Sequence, residues 1–152
     1  MSKDTIRKKI CTLRDAHDKR LREEKSVQIA EALQKQKEFM KAKTICIYLS
    51  KGSEVDLNET KSGVYDILEP KKMRLILPEQ VDLFIVPGIA FDNKCSRIGY
   101  GQGYYDKLLS TTRKPKVGLA YSFQMVESIS AEPTDIAMDK VITEKEVYGK
   151  NT

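Results

Sequence analysis

The amino-acid sequence predicts an α/β protein, a three-layer α/β/α domain with a mainly parallel β-sheet that spans residues 1–152. Short apolar and β-branched runs alternate with segments of helical periodicity, as in proteins built on parallel sheets. Several runs are apolar throughout, which is typical of strands that helices cover on both faces. A chain of 152 residues is also long enough to bury a core in one domain.

Helices are predicted at the N-terminus, over about residues 3–39. The apolar positions that recur at helical spacing in the first helix are Ile6, Ile10, Leu13 and Leu21. Those of the second helix, from about residue 26 to residue 39, are Ile29, Ala30 and Leu33. Both stripes are narrow enough to leave the charged side chains of these helices mostly on other faces.

The sheet and its ligand loops are expected over about residues 44–144. The predicted strands are Thr44–Leu49, Met73–Leu77, Leu83–Val86, Val117–Ala120 and Val141–Thr143. Further helices are predicted at Tyr104–Leu109 and Gln124–Ile129. Because open parallel sheets bind ligands beyond the carboxyl ends of their strands, three loops are candidates for a site. They are residues 50–54, the loop after Leu83–Val86, and the loop that contains Asp135.

Composition excludes several classes of protein. The longest apolar run, Ile45–Leu49, is far shorter than the roughly 20 residues of a membrane span. The sequence MSKDTIRKKI has no apolar stretch of the kind found in signal peptides. Three cysteines and the single His17 cannot supply the close ligand set of a structural zinc site. We therefore expect a protein of a reducing compartment, the cytosol, with no membrane partner.

The net charge of +5 is spread along the chain. Such a charge suits a nucleic-acid-binding module or an enzyme of polyanionic small molecules equally well. Basic residues form no dense block, and the aromatic residues concentrate at one glycine-rich segment instead of alternating with them. A nucleic-acid partner is therefore not expected.

That glycine-rich segment, Arg97–Asp106, reads RIGYGQGYYD. Three glycines at alternate positions allow backbone N–H groups to approach a phosphate, and a helix that begins after them favours anions at its N-terminus. Arg97 is suited to hold a phosphate and Asp106 to hold Mg²⁺. The spacing alone leaves an alternative open, however. The segment matches no standard nucleotide-binding motif, and a flexible turn followed by an ordinary first-turn aspartate explains it as well.

The surrounding motifs resolve the choice, because together they resemble those of one family. They follow each other in the order VPGIAFD (86–92), RIGYGQGYYD (97–106), KVGLAYSFQ (116–124), EPTD (132–135) and VITE (141–144). Upstream, Tyr48-Leu49-Ser50 and Glu54-Val55-Asp56 are similar to the strand-turn segment of the same family. The chain resembles the 5-formyltetrahydrofolate cyclo-ligases, also called 5,10-methenyltetrahydrofolate synthetases.

The resemblance implies an ATP- and Mg²⁺-dependent ligase. In this family the γ-phosphate of ATP phosphorylates the formyl oxygen of 5-formyltetrahydrofolate. N10 then attacks the activated carbon, and the loss of phosphate leaves 5,10-methenyltetrahydrofolate. The expected partners are a reduced folate and ATP, and the expected state is a monomer or a homodimer.

The resemblance also implies roles for individual residues. The ATP contacts are expected from Lys3, Arg7, Arg97, Ile98, Gly99, Tyr100, Gly101, Gln102, Gly103, Tyr104 and Tyr105. The folate contacts are expected from Leu49, Glu54, Tyr100, Gly101, Gln102, Gly103 and Tyr104. The Mg²⁺ ligands would be Asp106 and Asp135, and the catalytic residues Arg97, Tyr104 and Asp106.

The central region is shorter than the family pattern, since only residues 57–85 separate the Glu-Val-Asp and Val-Pro-Gly motifs. The loss falls either between Leu57 and Gly63, which we favour, or around Gln80. In the family this region supplies apolar walls of the folate pocket. The shortening therefore suggests a second interpretation, a nucleotide- or folate-binding protein of the same fold without turnover.

Overall fold

A mixed β-sheet lies at the centre of the computed structural model, which describes residues 1–48, 52–56 and 77–149. The strands of this part of the chain are β1 (Ile45–Cys46), β2 (Leu83–Val86), β3 (Ala90–Phe91), β4 (Arg97–Ile98), β5 (Lys116–Leu119), β6 (Lys140–Ile142) and β7 (Val147–Gly149). The helices are α1 (Lys3–Asp15), α2 (Lys19–Gln34), α3 (Lys37–Lys41) and α4 (Tyr104–Leu109).

The described strands pair in the order β1-β2-β5-β6-β7, and β3 pairs with β4 in a separate hairpin. The β1–β2, β2–β5 and β5–β6 pairs are parallel, whereas β6–β7 is antiparallel. The predicted α/β class with a mainly parallel sheet is confirmed. That residues 1–152 form one domain stays a prediction.

Side chains of the sheet alternate between two apolar layers. On one face, Leu83 and Ile85 of β2 pack in the same cluster as Ile29 and Leu33 of α2. On the other face, Phe84 and Val86 pack in a cluster with Leu109 of α4. Because both faces are covered here, β2 is apolar and buried at every position, which is the pattern that predicted it.

Side-chain caps set the starts of the two long helices. The Ser2 hydroxyl accepts a hydrogen bond from the Thr5 backbone N–H at 3.2 Å, and the Asp18 carboxylate accepts from the N–H groups of Arg20 and Leu21. Such caps satisfy N–H groups that have no partner within the helix. The Asp18 cap separates α2 from α1 within the predicted stretch of residues 3–39, and α3 follows without a side-chain cap.

The apolar stripe predicted for the N-terminal helices is only partly right. Ile6 and Ile10 are buried, but Leu13 and Leu21 are exposed. The buried face of α1 continues instead at Arg14, which is 6% exposed. Beyond Ile10 this face of the helix meets the hydroxyl groups of Ser53 and Tyr100. The hydrogen-bonding side chain of Arg14 is therefore buried there, whereas the predicted Leu13 points to solvent.

The helix predicted at Gln124–Ile129 is wrong. A 3-10 turn at Ser122–Gln124 is followed by irregular backbone, in which Met125 forms a bridge with Phe91. Two buried hydrogen bonds from the Gln124 side-chain amide to the carbonyls of Gly88 and Ile89 hold this segment. Long-range bonds therefore replace the local helical ladder.

The remaining differences concern strand ends and short strands. β1 is shorter than the predicted strand Thr44–Leu49, and β5 and β6 each start one residue before their predictions. Sequence periodicity did not predict β3, β4 or β7, which have two or three residues each. The predicted strand Met73–Leu77 lies outside the described residues except for Leu77. Leu49, the last residue of the first predicted strand, also lies outside them. No helix among the described residues is long and apolar enough to span a membrane.

We expect Gly118→Ala in the central strand β5 to destabilise the protein by about 1–3 kcal/mol. A Cβ at this position would lie 2.6 Å from Cε1 of Phe91, whose side chain is fully buried and cannot move without repacking the layer that it shares with Phe84 and Leu109. Urea unfolding of this variant and of a control, Ser130→Ala at an exposed position, measures the difference. Equal unfolding free energies for the two variants would show that Phe91 moves aside freely.

Candidate nucleotide and substrate site

The candidate site lies where the described chain leaves the carboxyl ends of β1, β2 and β5. Tyr48, Pro87 and Tyr121 follow these strands, and the segment 52–56 packs beside them. The Tyr121 hydroxyl donates to the Glu54 carbonyl, and the Tyr48 hydroxyl donates to the Val55 carbonyl at 2.8 Å. These bonds hold the 52–56 segment against the end of the sheet. This is the end at which open parallel sheets bind their ligands.

The glycine loop, residues 97–105, crosses this end of the sheet and leads into α4. Gly101 has a φ of +98° and Gly103 a φ of +68°, values that side-chain-bearing residues rarely adopt. Gly103 is the residue before α4 and uses no side chain to cap it. Glycine is therefore required here by backbone conformation, and the loop exposes its backbone at a helix start.

Two basic residues of α1, the predicted ATP contacts Lys3 and Arg7, reach the loop and its neighbour. Arg7 donates from Nε to the Gly99 carbonyl at 2.9 Å, and Lys3 donates from Nζ to Oδ2 of Asp135 at 2.6 Å. Burial raises the pKa of the Asp135 carboxyl, but the Lys3 ammonium and the Glu132 backbone N–H outweigh this effect and hold the pKa below its usual value. Asp135 is therefore ionised and tied to α1.

Arg97 is buried, with an exposed fraction of 9%. Its Nε donates to the Pro87 carbonyl at 2.7 Å, and its guanidinium carbon lies 5.1 Å from the centre of the Tyr105 ring. Burial lowers the pKa of the guanidinium, while the neighbouring Asp106 carboxylate acts in the opposite direction. Arg97 is thus a rigid cation that links the Val-Pro-Gly motif to the glycine loop.

A backbone hydrogen bond connects Asp106 to the residue that follows Asp135, the other predicted Mg²⁺ ligand. Oδ1 of Asp106 accepts a hydrogen bond from the backbone N–H of Ile136, the residue after Asp135. Within the described ranges, no group of three or more His, Cys, Asp or Glu side chains could hold a metal ion. Mg²⁺ commonly binds one or two carboxylates together with the phosphates of a nucleotide. These two carboxylates therefore fit that ion only in combination with a nucleotide.

Glu54 is buried and contacts the glycine loop directly. The Tyr100 hydroxyl donates to Oε2 of Glu54 at 2.8 Å and accepts from Nη2 of Arg14 at 3.0 Å. Burial, with the Glu54 carboxylate, raises the pKa of Tyr100 to about 12, so its hydroxyl stays protonated at neutral pH. The predicted nucleotide loop and the predicted folate carboxylate thus share one hydrogen bond.

The other predicted site residues differ in their surroundings. Gln102 and Tyr104 are exposed, whereas the Ile98 side chain is buried in the cluster that includes Ile6 and Ile10 of α1. Leu49 lies outside the described residues. Arg14 and Ser53 were not predicted, although the order Lys3, Arg7, Ile10 and Arg14 repeats at helical spacing and already places Arg14 on the face that carries the basic pair.

Comparison with known proteins assigns this arrangement to a family. The family model of the 5-formyltetrahydrofolate cyclo-ligases matches residues 52–144, more than half of the chain. The 5-formyltetrahydrofolate cyclo-ligase of Mycoplasma pneumoniae is 40% identical over 70 residues, which cover 45% of this chain and 42% of that protein. The Escherichia coli cyclo-ligase is 37% identical over 101 residues, which cover 63% of this chain and 53% of that protein. The matched segments thus span about half the length of these relatives.

Solved structures agree over a larger part of the chain. The NMR structure of Aquifex aeolicus 5,10-methenyltetrahydrofolate synthetase superposes with a TM-score of 0.83 at 31% identity, covering 100% of this chain and 94% of that one. A 5,10-methenyltetrahydrofolate synthetase from M. pneumoniae gives a TM-score of 0.78 at 27% identity, covering 95% and 99%. By its sequence motifs and its structure, the chain belongs to the 5-formyltetrahydrofolate cyclo-ligase family.

Proposed function

We propose that the protein is an ATP-dependent 5-formyltetrahydrofolate cyclo-ligase of the cytosol. It would convert 5-formyltetrahydrofolate to 5,10-methenyltetrahydrofolate and release ADP and phosphate. The observation that carries the proposal is the 2.8 Å hydrogen bond between Tyr100 and Glu54. A nucleotide on the glycine loop and a reduced folate on Glu54 would meet at this contact, and the reaction requires the two substrates to touch.

The residues around the glycine loop suit a nucleotide triphosphate. Lys3 and Arg7 bring positive charge to the loop, and the backbone at Gly101 and Gly103 is open to a phosphate. Arg97 adds a buried cation whose orientation is fixed by Pro87. Phosphoryl transfer depends mainly on positioning and charge neutralisation, and these groups supply both.

The reaction needs no nucleophilic side chain. The formyl oxygen attacks the γ-phosphorus, forming an O–P bond while the bond from the γ-phosphorus to the leaving oxygen of ADP breaks. N10 then attacks the formyl carbon, the C–O bond to the phosphate breaks, and N10 loses its proton. The protein's part is to hold the two substrates in register and to stabilise the charge that moves between them.

Mg²⁺ would be held by Asp106 and Asp135 together with the nucleotide, and it would neutralise charge on the phosphates. Because Lys3 pairs with Asp135 at 2.6 Å, binding of the ion at this carboxylate would require Lys3 to share it or turn toward a phosphate. Asp106 keeps its place through the Ile136 N–H and would orient the ion from the first turn of α4.

The second interpretation, a binding protein without turnover, depends on the shortened central region. Residues 57–76 of that region lie outside the described residues, so the thinning of the folate pocket stays a prediction. No feature of the described part favours this interpretation over the ligase.

We expect the wild-type protein to form methenyltetrahydrofolate from 5-formyltetrahydrofolate only when both ATP and Mg²⁺ are present. Absorbance of the methenyl product follows the reaction, and reactions without ATP or with EDTA are the controls. Tight binding of both substrates without product would contradict the ligase and support the binding protein.

We expect Asp106→Asn to lower kcat at least 10-fold and to raise the Mg²⁺ concentration for half-maximal rate, because the carboxylate charge is lost at the phosphates. The amide oxygen still accepts from Ile136, so the fold should be preserved. Lys107→Ala, an exposed change on the same helix, is the matched control. An unchanged rate and Mg²⁺ dependence would make Asp106 only a helix-start residue.

We expect Gly101→Val to weaken ATP binding at least 10-fold in calorimetry. At a φ of +98° a branched side chain strains the backbone. Its Cβ would also lie 3.7 Å from the guanidinium carbon of Arg7, on the side of the loop that faces this cation. The melting temperature of the variant controls for unfolding. ATP affinity equal to wild type in a folded variant would contradict a phosphate-binding role for this loop.

A further inference from the structure

Arg14 is a buried cation whose hydrogen bonds are incomplete. It is 6% exposed, its Nε donates to the Ser53 hydroxyl at 2.9 Å, and its Nη2 donates to the Tyr100 hydroxyl at 3.0 Å. Its Nη1 is buried and has no hydrogen-bond partner in the described part of the chain. Buried donors are nearly always satisfied, so an unpartnered one on a charged group requires an explanation.

The two partners of Arg14 do not neutralise it, because both are hydroxyl groups. The Ser53 hydroxyl donates its hydrogen bond to the Asp15 carboxylate at 2.6 Å, and the Tyr100 hydroxyl donates to the Glu54 carboxylate. The Tyr100 hydroxyl therefore bridges the guanidinium of Arg14 and the carboxylate of Glu54. The guanidinium and the carboxylate are held at a set separation by Tyr100.

Arg14 and Glu54 also line the same crevice, which in this structure is too narrow to hold a water molecule. Pro87, Gly88 and Leu119 form its walls beside the ends of β2 and β5. The carboxylate and the guanidinium beside these apolar walls match, in their hydrogen bonding, the edge of a flat ring that carries both donors and an acceptor, and the crevice would have to widen to admit such a ring. Glu54 accepts from N–H groups, and Arg14 donates to an oxygen.

We propose that Arg14 is a recognition residue for the folate, whose Nη1 donates a hydrogen bond to the C4 carbonyl oxygen of the 2-amino-4-oxo ring. This inference rests on the proposed function, since it takes the substrate from there. The ring edge presents the 2-amino group, N3–H and the C4 carbonyl in sequence. Glu54 would accept hydrogen bonds from the 2-amino group and N3–H, and Arg14 would donate a hydrogen bond to the C4 carbonyl oxygen beside them.

The proposal predicts that Arg14 discriminates a 4-oxo from a 4-amino ring. A 4-amino group turns a donor toward Arg14, so the two donors oppose each other and the Nη1 bond is lost. We expect the wild-type protein to bind 5-formyltetrahydrofolate more tightly than its 4-amino analogue, and we expect Arg14→Met to reduce this ratio of dissociation constants at least 10-fold. Lys9→Met, at an exposed position on the same helix, should leave the ratio unchanged.

A purely structural role of Arg14 gives a different result. If Arg14 only braces Ser53 and Tyr100, its loss weakens both ligands equally and the ratio stays at the wild-type value, which overturns the proposal. ATP affinity, measured by calorimetry on the same variants, should change less than 2-fold if recognition is confined to the folate. An ATP affinity that falls as much as the folate affinity also overturns it.

Two further arms keep the test decisive. If Arg14→Met does not fold, Arg14→Lys keeps the charge but loses the planar fork, and it should still reduce the ratio several-fold. Wild-type protein that binds 5-formyltetrahydrofolate without product formation refutes the proposed turnover, while the ratio still tests Arg14. Wild-type protein that binds no folate overturns both, and normal turnover with a ratio independent of Arg14 overturns the recognition role alone.

Discussion

The apolar contact between α1 and the β3–β4 hairpin holds the candidate site together. Ile6 and Ile10 pack in one cluster with Ile89, Ala90 and Ile98. Each isoleucine buried in this way stabilises the fold by roughly 1.5–3 kcal/mol. The contact also fixes the position of α1, the helix that carries Lys3, Arg7 and Arg14. Without it, these cations would be solvated side chains on a separate helix.

The charges of α1 are distributed along the site by helical geometry. Lys3, Arg7 and Arg14 lie on the face that Ile6 and Ile10 anchor, and they reach Asp135, the Gly99 carbonyl and the Tyr100 hydroxyl in that order. A helix rises 1.5 Å per residue, so this face spans about 16 Å from Lys3 to Arg14. One rigid element can therefore contact both the nucleotide and the folate of the proposed reaction.

The glycine loop joins the two ends through Tyr100. Its backbone needs glycine at Gly101 and Gly103 because both residues have positive φ values. Its side chain at Tyr100 is bonded to Glu54, which stands on a different segment of the chain. A change in the conformation of the loop would therefore alter the position of Glu54 through the Tyr100 hydroxyl. If the protein has the proposed function, this contact would couple the binding of the nucleotide to that of the folate.

The sequence by itself determined the local features of this protein. The apolar run Leu83–Val86 and the helix Tyr104–Leu109 were predicted with the bounds that the structure has, since strand and helix periodicity act over neighbouring residues. Two of the three alternate glycines, Gly101 and Gly103, have the positive φ values that the sequence pattern allowed for, because only glycine tolerates positive φ without strain. The roles that the family resemblance implies for Lys3, Arg7, Glu54 and Asp135 stay predictions.

Tertiary structure alone decided what depends on contacts between distant segments. Arg14 is buried on α1 and the neighbouring Leu13, predicted for the apolar stripe, is exposed, because Ser53 and Tyr100, 39 and 86 residues away, supply acceptors for Arg14. Residues after Gln124 do not form a helix, because its side chain bonds to Gly88 and Ile89 instead. Periodicity records which residues are apolar, but it does not record which polar group a buried side chain will meet. That pairing is set by long-range packing, and it decides which polar side chains the fold can bury.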